Sequence, residues 1–273
     1  MNIKPQQTGF SLIEMMIATV LGLMLTIGTA SIYFSSQKSS IARSQYTAIE
    51  DNGRSALEVL TQIIEHTGYS STRSTPLDER FISTAVTAAN CGAGKKNVLD
   101  PSLFSVVSNG AAGASDSIGV IYIGDANLNR DCSGEQLPVA CQTGGVGAME
   151  SSKIYNYFSV GVNGTGTPVL NCAGSNSTAT VEIAEGVENL QVLYGVDNNS
   201  DNRVDQYVNA DDVTSWNNVI SVQLAVLVRS LRHLKAKAEA KTYNLLDNVA
   251  IKTNDKYQRA VFTTIVRLRN VQL

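Results

Sequence analysis

The sequence contains few of the residues on which catalysis and nucleic-acid binding usually depend. Only 16% of its 273 residues are charged and 6% are aromatic, and its two histidines are His66 and His233. Neither histidine can be assembled with serine, cysteine or aspartate into a recognisable catalytic arrangement. A net charge of −3 and a pI near 5.5 do not fit a general nucleic-acid binder. We therefore expect neither an enzyme nor a nucleic-acid partner.

The cysteines include no Cys-x-x-Cys pair, so the sequence gives no zinc or thioredoxin-like signature. The four are Cys91, Cys132, Cys141 and Cys172. An even number of cysteines in a Gly- and Ser-rich chain fits two disulfides in an oxidising compartment. Four cysteines allow three connectivities, and spacing does not choose among them. The local pair Cys132–Cys141 is one alternative.

A usual secretory signal is also missing from the amino terminus. Residues 1–9 are polar with one cation, Lys4, and residues 10–34 form an apolar run with one charge, Glu14. As a helix this run is roughly 37 Å long, enough to cross a bilayer, and no Ala-x-Ala site closes it. An ordinary signal anchor explains the length but not Glu14, because a lone carboxylate costs about 2.5–3.5 kcal/mol at mid-membrane. We expect Glu14 to have a partner.

The rest of the chain predicts an α+β domain. Apolar residues recur at helical spacing from Ile41 and Tyr46 to Ile64, so the helix continues as an amphipathic segment over 35–68, weakened at Gly53 and stopped near Gly68. Residues 70–117 indicate long loops with short strands. Antiparallel strands are predicted over 118–123, 154–160, 168–172, 179–183, 187–194, 219–228 and 260–268, the second and third as a hairpin.

The segment Gly9–Glu14, which reads Gly-Phe-Ser-Leu-Ile-Glu, resembles the class III signal of type IV prepilins and pseudopilins. The resemblance implies cleavage after Gly9 by a membrane aspartyl peptidase and N-methylation of Phe10. It also implies that Glu14 pairs with a free terminal amine, that of a neighbouring subunit in assembly, which offsets the cost of a buried charge. The expected divisions are leader 1–9, membrane helix 10–34, amphipathic helix 35–68 and periplasmic globular domain 69–273, anchored in the inner membrane.

Three later segments are similar to the PilW family of minor pilins: 186–197, 219–230 and 257–270. With the helix they cover about half of the chain, and residues 70–150 match nothing securely. The resemblance implies a pilin fold, in which the long helix packs on an antiparallel sheet. The family's Asp-Cys-x-Gly and Leu-x-Cys elements stand at 131–134 and 170–172, which implies Cys132–Cys172 and leaves Cys91–Cys141.

This resemblance implies a minor pilin that primes type IV pilus assembly in a complex near the fibre tip. The expected partners are other minor pilins, the major pilin, the prepilin peptidase and the inner-membrane assembly platform. The chain is nearly twice the expected size of a typical major pilin, which argues against the bulk subunit. Two alternatives remain: a minor pseudopilin of type II secretion, and a membrane-anchored adhesive module.

Two polar segments have both a functional and an ordinary explanation. Asp197, Asn199, Asp201 and Asp205 occupy positions one, three, five and nine of a calcium-loop pattern, with Asn202 and Val208 where an EF-hand has glycine and glutamate. A polar turn explains the same residues. No cofactor is required otherwise. Residues 229–241 hold five Lys or Arg against Glu239, which fits an acidic partner, an anionic surface or a solvated loop.

Overall fold

The chain begins with one long helix, α1, over Leu12–Glu65. The computed structural model describes residues 9, 11–71, 79–143 and 149–271. The chain divides into two compact units, Met1–Gln45 and Tyr46–Leu273.

In the second unit, the last five turns of α1 pack against the sheets. Their buried residues recur every three or four positions, as an amphipathic helix requires: Ile49, Gly53, Ala56, Leu60 and Ile64. The prediction of this stripe is therefore confirmed from Ile49 onward. Ile41 and Tyr46, at its predicted beginning, are 43% and 50% exposed. The helix ends at Glu65, and a turn follows up to Gly68.

In the part of the chain that the structure describes, ten strands follow α1, all in antiparallel pairs. The first sheet has the order β1-β2-β3-β4 and consists of β1 (Ile118–Ile123), β2 (Lys153–Val162), β3 (Pro168–Gly174) and β4 (Val181–Glu185). The second has the order β10-β7-β5-β6 and consists of β5 (Val187–Val196), β6 (Gln206–Val208), β7 (Val219–Arg229) and β10 (Arg259–Arg267). A separate hairpin joins β8 (Glu239–Tyr243) to β9 (Ile251–Asp255).

The two sheets are joined at a single residue, Gly186, between β4 and β5. Its N–H donates to the Pro168 carbonyl on β3 at 2.7 Å, and its carbonyl accepts from Arg229 N–H on β7 at 2.8 Å. Gly186 has φ +79°, and a Cβ there would lie 2.5 Å from the Arg229 carbonyl oxygen. Only glycine fits both the backbone conformation and this close approach.

The main core lies where α1 meets both sheets. Ile64, Phe81, Phe158, Leu190 and Leu224 belong to it. The long helix followed by antiparallel strands, and the β2–β3 hairpin, are confirmed. Residues 79–117 are mostly loop, tied to β1 by isolated bridges such as Phe81 to Val120. The sequence did not indicate the short strand β6 or the hairpin β8–β9. Because the hairpin's residues are largely polar, the end of the 229–241 run was expected to be loop and is strand from Glu239.

Candidate assembly site

The first unit presents an apolar helix surface with no cover of its own. Residues 11–41 are all exposed, and they include large side chains such as Leu12, at 80%, and Leu25, at 70%. This part of α1 is long and apolar enough to cross a membrane. Burial within the chain does not explain its composition, which therefore indicates a lipid or protein environment outside the chain.

Glu14 has a local partner in the helix cap. Ser11 N–H donates to Glu14 Oε2 at 3.0 Å, and Glu14 N–H donates to Ser11 Oγ at 3.3 Å. This is the reciprocal capping box of a helix amino terminus, where a carboxylate also meets the positive end of the helix dipole. Glu14 thus lies in the first turn of α1, at its amino terminus. Gly9 is exposed, and Phe10 lies outside the described residues.

The structure forms two disulfides, Cys91–Cys141 and Cys132–Cys172. This is the pairing that the family resemblance implies, and it leaves no cysteine for catalysis. Cys172 lies on β3 in the main core, whereas Cys91 and Cys141 lie together with Tyr122 and Leu137. The bridges close loops of 50 and 40 residues. In the chain-entropy model, each bridge lowers the entropy of the unfolded chain and so raises the free energy of unfolding by about 4 kcal/mol.

The Asp-Cys-x-Gly element owes its shape to the Asp131 carboxylate. Oδ1 accepts from the N–H groups of Ser133 and Glu135, and Oδ2 accepts from Asn176 N–H at 2.7 Å. Burial raises the pKa of Asp131, although these hydrogen bonds oppose it. A Cβ on Gly174 would lie 2.4 Å from this carboxylate. The element therefore holds Cys132 against β3 for its bridge to Cys172.

The 197–205 loop is a turn organised by one carboxylate. Asp197 Oδ1 accepts from Ser200 N–H at 2.7 Å, and its Oδ2 accepts from Asn202 N–H at 2.8 Å. Burial opposes ionisation of Asp197, but these backbone donors outweigh it and lower its pKa. Asn202 has φ +66°, the left-handed conformation that the calcium pattern requires.

The four candidate ligands of that loop are hydrogen-bonded to one another and to the loop backbone: Asn199 Nδ2 donates to Asp205 Oδ1 at 3.4 Å, and Asp201 N–H donates to Asn199 Oδ1 at 2.9 Å. Asp201 Oδ1 accepts from Arg203 N–H, and Asp205 Oδ2 accepts from Asn198 N–H. Within the described ranges, no group of three or more His, Cys, Asp or Glu side chains is arranged to hold a metal ion. Calcium binding by Asp197, Asn199, Asp201 and Asp205 stays a prediction.

An ion cluster that the sequence did not indicate fixes the end of the second sheet. Arg259 is 7% exposed, and its Nη2 lies 2.9 Å from Glu188 Oε1 and 2.7 Å from Asp255 Oδ2. Arg229 lies 3.5 Å from the same Glu188 and 4.1 Å above the Tyr257 ring. The hydrogen bond from Arg259 lowers the pKa of Asp255 to about 2, against the effect of burial. In the sequence, the only indication of this cluster is that charged residues such as Glu188 and Arg229 adjoin apolar strand segments.

The two histidines have different surroundings, and both contact tyrosines. His66 follows α1 and meets the Tyr122 ring edge-on, and burial lowers its pKa despite the nearby Glu65. His233 packs against the Tyr257 ring, with ring centroids 4.4 Å apart and the ring planes tilted by 57°. Both histidines therefore pack against aromatic rings.

Two family models match separate parts of the chain. Residues 157–270, from within β2 to the end of the second sheet, match the model described as Type IV Pilus-assembly protein W. Residues 4–30 match the prokaryotic N-terminal methylation motif. No curated protein matches the chain. A solved structure, the type IV-like pilin TTHA1219 from Thermus thermophilus, has 16% identity and a TM-score of 0.32 over 59% of this chain and 81% of its own.

Proposed function

We propose that this chain is a type IV pilin-like protein of the PilW family, as the two family matches support, and that it is the minor pilin that primes type IV pilus assembly. It acts in a complex with other minor pilins, near the tip of the fibre. Its place before assembly is the inner membrane, with the globular unit in the periplasm. The prepilin peptidase cuts after Gly9, and Phe10 becomes the methylated amino terminus.

One observation carries this proposal: the methylation motif covers the start of a helix whose residues 11–41, including its long apolar run, are all exposed. The leader does not distinguish pilus assembly from type II secretion, because both systems use the same one. The PilW match supports a role in pilus assembly. In lipid, the exposed side chains of residues 12–34 are in a favourable solvent. When the subunit leaves the membrane, helices of sibling subunits replace the lipid around them.

Glu14 makes that transfer specific. In the uncut chain its carboxylate accepts from Ser11 N–H. After cleavage, the ammonium group of Phe10 lies one residue before Ser11. We expect Glu14 of one subunit to pair with the Phe10 amine of its neighbour, since an opposite charge offsets the cost of a carboxylate in an apolar surrounding. The pair sets the axial register of adjacent helices.

A deletion strain tests the role in the pilus. We expect loss of surface pili and of twitching with normal exoprotein secretion, restored by the intact gene and not by Glu14→Leu. Normal pili with defective secretion would instead identify a minor pseudopilin. Normal fibres that bind surfaces poorly would identify an adhesive module.

Processing has its own test, mass spectrometry of the amino-terminal peptide. We expect a mature chain that begins at methylated Phe10, because the motif match includes the junction. A Gly9→Leu variant is the matched control and should retain the leader. An intact Met1 on the wild-type protein, or a cut after the apolar run, would contradict the prepilin assignment.

A further inference from the structure

The globular unit has an uneven distribution of charge along its sequence. Residues 229–273 contain ten Lys or Arg against three Asp or Glu, whereas residues 46–228 contain eight against twenty. The last 45 residues are therefore a basic part of an acidic unit. They include the hairpin β8–β9, which the proposed function leaves without a role.

The hairpin lies on the outer side of the second sheet and turns one face to solvent. Tyr243, Leu245 and Ile251 pack with Ala225 and Leu227 of β7. Because side chains alternate along a strand, the opposite face of the hairpin points outward. Its residues are all exposed: Ala240, Thr242, Lys252 and Asn254.

The two acidic residues on the strands of the hairpin are paired with cations, whereas Asp247, in the loop that connects the strands, is exposed and, among the described residues, forms no ion pair. Asp255 pairs with Arg259 at 2.7 Å, and Glu239 pairs with Lys235 at 2.8 Å. Lys237, Lys252 and Lys256 are exposed and, among the described residues, form no ion pair. Lys237 and Lys256 adjoin the open end of the hairpin, where Glu239 faces Asp255. The outward face and this end together carry an excess of positive charge.

The base of the hairpin is held firmly. Tyr257 contacts both Arg229, whose guanidinium carbon lies 4.1 Å from its ring centroid, and His233, whose ring centroid is 4.4 Å away. Arg259 connects Asp255 of β9 with Glu188 of β5. A surface fixed in this way loses little conformational entropy when it binds.

We propose that the cationic hairpin face, formed by Lys237, Thr242, Lys252 and Lys256, docks on an acidic protein surface of a neighbouring pilus subunit. The inference rests on the proposed function, which supplies such neighbours. Charge complementarity supports it, because a cationic face fits an acidic protein surface, and residues 46–228 of this chain themselves carry twenty Asp or Glu against eight Lys or Arg.

A protein fits this face better than a nucleic acid or a lipid sheet does. An extended polyanion would also meet the acidic remainder of the unit and be repelled, whereas an acidic patch on a protein is local. The exposed residues between the lysines are Ala240, Thr242 and Asn254, which offer no ring for stacking on bases. Tyr243 is turned toward the sheet.

Site-specific photo-crosslinking in living cells tests the docking. The full-length chain carries the photoreactive residue at Thr242, and in a second strain at Leu21, which is 56% exposed on the apolar helix. We expect both positions to capture pilin subunits. The triple reversal of Lys237, Lys252 and Lys256 to Glu should lower the Thr242 yield about tenfold or more, because like charges then meet across the contact. The triple change to Arg is the matched control and should retain the yield.

The outcomes separate this inference from the function on which it rests. Capture at Leu21 without capture of a protein at Thr242 contradicts the proposed docking surface but not the proposed minor-pilin function. If neither position captures a pilin subunit, the proposed minor-pilin function is contradicted. A crosslink from Thr242 to nucleic acid or phospholipid, or an undiminished yield in the Glu variant, also overturns the inference. Unchanged thermal unfolding of the two triple variants establishes that they fold.

Discussion

At the scale of single residues, Gly186 combines a demanding backbone conformation with a connecting role. It passes the chain from the first sheet to the second and bonds to β3 and β7. We expect Gly186→Ala to lower the free energy of unfolding by at least about 1–2 kcal/mol, the cost of a left-handed residue with a side chain, before its contact with the Arg229 carbonyl is added. The sequence motif 186–197 contains this glycine, but only the structure explains it.

Urea unfolding of the full chain in detergent, monitored by tryptophan fluorescence, measures the effect of Gly186→Ala. The only tryptophan, Trp216, packs on Phe81 and Tyr194 in the core of the globular unit, so its emission reports that unit. Gly164→Ala is the control: its Cβ would meet nothing within 4 Å. Equal stability of the two variants would show that the Gly186 turn tolerates a side chain.

A second residue-scale prediction concerns calcium at the 197–205 loop. If Asp197, Asn199, Asp201 and Asp205 bind the ion, titration calorimetry of the full chain should give heat at about 10⁻⁴–10⁻³ M calcium, the range of extracellular sites. Asp201→Asn should weaken calcium binding, because one ligand charge is lost, while its amide oxygen still accepts from Arg203 N–H. Absence of heat at millimolar calcium would leave the loop with the structural role that its hydrogen bonds describe.

At the scale of elements, the strands that the sequence predicted are those with apolar, β-branched runs. β1, β5 and β7 are buried along almost their whole length, and their residues leave little choice of structure. The hairpin β8–β9 was not predicted, because one of its faces is solvated and its sequence pattern resembles that of a polar loop. Of the candidate site, the leader and Glu14 could be found in sequence. The Arg259 cluster could not, because its members come from four strands, β5, β7, β9 and β10.

The packing of α1 on β10 yields an element-scale prediction. Gly53 faces the Phe262 ring, and a Cβ there would lie 2.4 Å from it. Intrinsic helix propensity favours alanine by roughly 1 kcal/mol. We nevertheless expect Gly53→Ala to destabilise the globular unit, since the partly buried ring has to move.

Tryptophan fluorescence during urea unfolding also measures this effect. In a Phe262→Leu background the smaller side chain relieves the contact, so the same Gly53→Ala change should cost less or stabilise. A stabilising effect of Gly53→Ala in the wild-type background would contradict the role of close packing and leave helix propensity as the dominant effect.

At the scale of the whole molecule, the two sheets depend on a buried carboxylate whose protonation changes with pH. Asp116 is 3% exposed, and it accepts from Gly110 N–H at 2.9 Å and from Val192 N–H on β5 at 2.8 Å. Burial raises its pKa to about 6, with smaller contributions from Asp247 and Asp211, although both hydrogen bonds oppose the shift. The segment before β1 is thus tied to the second sheet by a group that resists ionisation.

The sign of the resulting pH dependence follows from which state binds the proton. Between about pH 4 and 6 the folded chain keeps Asp116 protonated more than the unfolded chain does, so its contribution to stability falls as pH rises through that window. The stability of the wild type relative to Asp116→Asn should therefore fall by about 3 kcal/mol across it. Asp255, whose folded pKa is about 2, should behave oppositely, and relative to Asp255→Asn the wild type should lose stability as pH falls below about 4. Urea unfolding of the three proteins at pH 3, 4, 5, 6 and 7 measures both trends, and a pH-independent difference between wild type and Asp116→Asn would contradict the first.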